Sequence, residues 1–217
     1  MNIVILFIAI TAVISFVAFN NPDITEKYKF NVGAILHRKE YIRLLSAGFL
    51  HADIMHLVFN MLTLYFFAPI VMQVFGNMGF IIVYLGAILL GNFLSLYIYQ
   101  KQPWYSAVGA SGGVSGILFA SIALMPDMGI YMFFIPIAIP GYIFGLAYFG
   151  YSVYMMLNPS PHDNIGHAAH LGGAFLGLVY AVVNAPETAM HNGFYIGIMS
   201  LPLLYLAYEI FIRKRIG

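Results

Sequence analysis

Residues 109–125 read Gly109-Ala110-Ser111-Gly112-Gly113-Val114-Ser115-Gly116-Ile117-Leu118-Phe119-Ala120-Ser121-Ile122-Ala123-Leu124-Met125, an uncharged run whose glycines crowd one end. Gly112 and Gly116 stand four apart, so one face of a helix here carries no side chain and a second helix can approach it backbone to backbone. The same spacing recurs at Gly173 and Gly177 in His167-Ala-Ala-His170-Leu-Gly172-Gly173-Ala-Phe-Leu-Gly177. His170, Gly173 and Gly177 stand at i, i+3 and i+7, so the imidazole lies above its own glycine groove. If the first helix docks in that groove, Ser111 comes within hydrogen-bond reach of His170. A serine beside an imidazole base is what acyl-transfer chemistry needs.

The rest of the chain fits a bilayer. Of 217 residues, 62% are hydrophobic and 8% charged, nine basic against eight acidic, whereas soluble domains carry about 25% charge. That composition excludes a cytosolic enzyme and a disordered tail, and a net charge of +1 without a basic stripe excludes a nucleic-acid binder. The absence of cysteine removes disulfides, thiolate nucleophiles and Cys-ligated metals.

Uncharged runs of roughly 20 residues, the length a bilayer requires, fall at about 1–20, 52–75, 79–99, 109–125, 140–157, 166–184 and 193–212. The fold class expected is an all-α polytopic membrane protein. The first run lacks a basic leader and a small-x-small cleavage site and reads as a retained span. Segment 21–51, with Lys27, Lys29, Arg38, Lys39 and Arg43, reads as an interfacial loop, and 128–139, apolar but meeting Pro136 and Pro140, as an interfacial connection leading into the fifth span. Pro69 is expected to kink the second span. Polar residues inside spans are costly and mark function: besides Ser111 and His170, the second span opens with His51, His56 and Asn60, the last two on one face a turn apart. His56, Asn60 and the Ser111 amide are candidate donors to an oxyanion. Asp53 and Asp163 sit in or near loops, so the reading is a dyad rather than a triad.

Taken in order, Glu40-x-x-Arg43, His51-x4-His56-x3-Asn60, Gly109-Ala110-Ser111-Gly112 and Ala169-His170-x-x-Gly173-x3-Gly177 closely resemble the rhomboid intramembrane serine proteases. The resemblance implies Ser111 as nucleophile, His170 as general base, and His56, Asn60 and the Ser111 amide as the oxyanion site. It implies a six-helix core, 1–184, to which 185–217 adds a seventh helix and a basic tail. Glu40, Arg43, His51, Gly109, Gly112, Gly116, Gly173 and Gly177 are expected to be structural. The implied activity is cleavage of peptide bonds in or beside transmembrane segments of other proteins, with the bilayer and those proteins as partners, no nucleic acid, no cofactor and no metal. A departure stands at Ser115, where some members carry an aromatic packed on the catalytic histidine, and Gly113-Val114-Ser115-Gly116 makes a second Gly-x-Ser-Gly. Ser115 lies one turn deeper, further from water, so Ser111 is preferred.

Other readings draw on the same residues. A catalytically silent rhomboid-like escort factor would keep the fold without chemistry, and a channel would line a pore with these polar groups. A zinc protease would need HExxH, which is missing. Asn60 is otherwise read as holding the second and fourth spans together, His51 as ordering the mouth of the site, and His167 as the polar end of the sixth span. The loop 158–164, rich in turn residues, is expected to be a gate. With seven spans all nine basic residues share the catalytic face, which the positive-inside rule calls cytoplasmic; resemblance to bacterial rhomboids places that face outside, and is followed, with a plasma membrane expected.

Overall fold

The computed structural model describes residues 2–132, 135–160, 163 and 165–214. Part of the expected gate loop 158–164, and Arg215 of the basic tail, lie outside the described residues. Its helices are α1 (Ile3–Phe19), α2 (Pro22–Tyr28), α3 (Val32–Arg38), α4 (Arg43–Ser46), α5 (Ile54–Tyr99), α6 (Ser111–Leu124), α7 (Gly141–Leu157), α8 (His167–Asn184), α9 (Pro186–His191) and α10 (Gly193–Phe211). Two short antiparallel pairs complete it: β1 (Phe30–Asn31) with β2 (Ser106–Ala107), and β3 (Gly129–Met132) with β4 (Ile135–Pro140). The segment 128–139, expected as an interfacial connection, thus carries paired strands that lead into α7.

All seven expected spans are helical, and the chain is an all-α polytopic membrane protein. α5, α8 and α10 are each long and apolar enough to cross a membrane. At 1.5 Å per residue α5 would be about 69 Å long, more than twice a bilayer core. It breaks at Gly76, which adopts φ +67° and ψ −172°, a conformation that favours glycine. Pro69 keeps helical backbone angles, and the non-helical break falls at Gly76. The two halves, 54–75 and 77–99, run in opposite directions past α6: Gly109 abuts His56 and Ser121 donates to the Phe67 carbonyl, while Gly113 faces Tyr84 and Ile88, and Gly116 faces Val83 and Ala87.

α6 is the hub. Every residue from Gly112 to Leu124 is buried, because α5 and α8 close around it. On α8, a Cβ at Gly173 would overlap the Gly112 carbonyl, and one at Gly177 the Gly116 carbonyl, so the two glycine grooves interlock as the spacing predicts. A third contact of this kind joins α5 to α8, where Gly91 lies against Ala169 and Gly172 against Gly91. With 14 residues, α6 is about 21 Å long, short of the roughly 30 Å hydrocarbon core. The first loop is fastened by Arg43, which is 5% exposed. Its Nη1 donates to the Glu26 and Lys29 carbonyls and its Nε to Glu40.

Candidate active site

Ser111 is the first residue of α6, and no side chain caps that end; Ala110 takes the N-cap position with αR angles. The first backbone N–H groups of a helix have no intrahelical acceptor and carry the positive end of its dipole. Ser111 lines a cavity of about 680 Å³ together with His56, Asn60, Gly109 and His170, and with Asp53, Asn92, Tyr105 and Asp163 also in its wall. The glycine interlock sets this meeting, because fixing Gly112 against Gly173 brings the start of α6 level with the first turn of α8.

Gly109 shows how tight the turn before Ser111 is. Its φ of +135° suits glycine alone, and a Cβ there would stand 2.7 Å from His56 Cε1, 2.9 Å from His56 Nε2 and 3.6 Å from Ser111 Oγ. The His56 ring thus lies directly over the turn that presents Ser111. Asp53 caps α5 by accepting from the His56 N–H at 2.8 Å, which starts the helix where His56 and Asn60 share one face. One Asn60 amide N–H is spent on the His56 carbonyl at 3.1 Å within its own helix, leaving a second donor for the cavity. Among the described residues Asn60 makes no bond to α6, so it does not tie the second span to the fourth.

Ser111 and His170 line the same cavity, but among the described residues no hydrogen bond joins them. Catalytic contacts are often long without substrate and tighten once it is bound. Ser115 is engaged elsewhere, its hydroxyl 3.0 Å from Tyr148 Oη, and it does not line the cavity. His51 is buried and does not line the cavity. Its Nδ1 meets Ser15 Oγ at 2.9 Å, and its Nε2 accepts from the Ala110 N–H at 3.3 Å. Glu40 pairs with both Arg38 and Arg43, whose hydrogen bonds, Arg38's foremost, hold its carboxyl below the usual carboxylate range.

His167 does not line the cavity and pairs with Asp163, Nε2 to Oδ2 at 2.8 Å. Asp163, a carboxylate in the cavity wall, is therefore committed to His167. The reading of the sequence missed two participants. Tyr148 of α7 stacks on His170, ring centroids 6.2 Å apart at 20°; nothing distinguished it from the other tyrosines of that helix. Ser15 of α1 supports His51, and a lone serine in an apolar run gave no sign of a partner 36 residues away.

A family model of the Rhomboid domain matches residues 38–187. The chain belongs to the rhomboid family. It is 32% identical over 147 residues to the RHOMBOID-like protein 12, mitochondrial, of Arabidopsis thaliana, covering 60% of this chain and 43% of that one. It is 29% identical over 162 residues to the Rhomboid protein 1, mitochondrial, of Saccharomyces cerevisiae, covering 70% and 46%. Over 96 residues it is 32% identical to the Putative rhomboid protease YdcA of Bacillus subtilis, covering 44% and 42%. The chain spans less than half the length of these relatives. Two of the three are mitochondrial by name, which stands against the expected plasma membrane; the coarser reading, an integral membrane protein, holds.

Proposed function

We propose that this rhomboid is an intramembrane serine endopeptidase acting on transmembrane segments of other proteins, with the rhomboid core at 1–184 and α10 as an addition within 185–217. The observation that carries the reading is the placement of Ser111 at the uncapped start of α6, in one cavity with His170, His56 and Asn60. Ser111 Oγ attacks the peptide carbonyl carbon as its proton passes to His170. The carbonyl oxygen, now an oxyanion, is met by the Ser111 amide, the second Asn60 N–H and His56. Collapse of this intermediate breaks the C–N bond, and His170 returns the proton to the departing amine. Water entering through the cavity, activated by His170, then hydrolyses the ester and restores Ser111.

A fluorophosphonate probe tests this. Labelling of the purified protein at Ser111 that is lost in Ser111→Ala and His170→Ala, but only slowed and still located at Ser111 in Ser115→Ala, is the expected result. Folded protein that labels nowhere and leaves a model transmembrane substrate uncut would replace the reading with a catalytically silent escort factor.

A further inference from the structure

We propose that Tyr148 is a positioning residue for the general base, clamped by Ser115, and that α7 thereby reports its position to the dyad; this rests on the protease reading above. The observations form one connected path. Ser115 lies on α6 one turn below Ser111 and is 4% exposed. Its hydroxyl is 3.0 Å from Tyr148 Oη. The Tyr148 ring stacks on His170 with centroids 6.2 Å apart, within the range at which offset rings attract. Phe119 of α6, at 5.4 Å, and Phe144, one turn back on α7 at 5.9 Å, flank the same ring. Three helices therefore converge on a single tyrosine that touches the base but not the cavity.

An imidazole that must take a proton from Ser111 and later deliver it to an amine has to hold one ring orientation through both steps. His170 has no hydrogen bond among the described residues that would fix that orientation. Asp163, the carboxylate that could have done so, bonds His167 instead. The flat face of Tyr148 supplies the missing restraint, and the Ser115 bond fixes the rotation of that face about the α7 backbone.

The placement on α7 has a consequence. α7 leans chiefly on α10, where a Cβ at Gly145 would overlap the Met199 sulfur and the Tyr142 and Tyr195 rings lie 4.8 Å apart. A shift of α7 away from α6 breaks the Ser115 bond and unstacks His170 together. The dyad is thus ordered only when α7 is seated.

The test compares the full chain with Tyr148→Phe, Tyr148→Leu, Ser115→Ala and the Ser115→Ala/Tyr148→Phe double variant, reading fluorophosphonate labelling at Ser111, kcat and KM on a model transmembrane substrate, and the thermal midpoint. Tyr148→Phe and Ser115→Ala should each slow labelling several-fold, and the double variant no further, because both remove one bond. Tyr148→Leu should lower kcat at least tenfold with KM nearly unchanged, and Phe at that position should restore most of the loss. A folded Tyr148→Leu protein that labels and cleaves at the native rate overturns the proposal, as does additivity of the two single changes. A native chain that never labels and never cleaves overturns the protease reading and this inference with it.

Discussion

The backbone N–H of Ala110 donates to His51 Nε2 at 3.3 Å, one residue before Ser111. Because Nε2 accepts, the ring proton resides on Nδ1 and is donated to Ser15 Oγ, whose own hydrogen goes to the Phe49 carbonyl at 3.0 Å. The turn that presents Ser111 is thereby tied through a neutral imidazole to α1. Burial, reinforced by repulsion from His56 and opposed by Asp53, holds the His51 pKa down to about 3.

That shift has a sign that can be measured. In the unfolded chain His51 takes up a proton below about pH 6.5, whereas in the fold it resists until about pH 3. Between those values the unfolded state binds more protons, so the His51 contribution to stability falls as pH drops through this window and is unaffected above it. His51→Gln keeps an acceptor for Ala110 and a donor for Ser15 but does not titrate. The thermal midpoint of the native protein should fall more steeply from pH 6.5 to 4 than that of the variant, while the two converge at pH 7.5. Parallel curves would remove His51 from this role.

The glycine interlock makes a sharper prediction. A Cβ at Gly177 meets the backbone of Gly116, which no side-chain rotation can move, whereas one at Gly197 meets nothing within 4 Å. Gly177→Ala should destabilise the protein in detergent by about 2–3 kcal/mol, the cost of overpacking a closed contact, and slow Ser111 labelling by shifting α6 against α8. Gly197→Ala should leave both unchanged. A Gly177→Ala protein as stable as the native one would mean that α6 and α8 do not meet as described.

Much of this architecture is legible in the sequence because the bilayer imposes a period and a length on each apolar run, and because a GxxxG face states its own packing chemistry. The spacing of Gly112 and Gly116 and of Gly173 and Gly177 marks two faces able to interlock, and the structure pairs them. What is not legible depends on side chains that meet from distant helices. Tyr148 reaches His170 only because α7 passes beside α6, and Ser15 reaches His51 only because α1 closes against the first loop; no local pattern encodes either. His167, read as the polar end of the sixth span, opens α8 with its ring 6.4 Å from that of His170, but its bond to Asp163, one turn earlier, had no signal in the local pattern.

Asn60 separates chemistry from scaffolding. Its bond to the His56 carbonyl lies within one helix, so Asn60→Ala should cost no more than about 1 kcal/mol of stability. As an oxyanion donor it should instead lower kcat by about 10²–10³ on a transmembrane substrate. Loss of stability with kcat preserved in the folded fraction would return Asn60 to a structural role.

Arg43 and Glu40 form one ion pair, yet the two ends are unequal. Glu40 is substantially exposed, and solvent screens what its carboxylate contributes. Arg43 is buried and serves two backbone carbonyls of the first loop besides its carboxylate, acceptors that would be left without a partner if it were removed. Lysine cannot reproduce the planar fork that reaches all three. Arg43→Lys should therefore destabilise the protein by about 1–3 kcal/mol and expose residues 26–50 to proteolysis. Glu40→Gln should leave the loop protected, with a smaller effect that vanishes as pH falls below the carboxylate range. Equal effects of the two substitutions would show that the ion pair, rather than the guanidinium's hold on the Glu26 and Lys29 carbonyls, orders the loop.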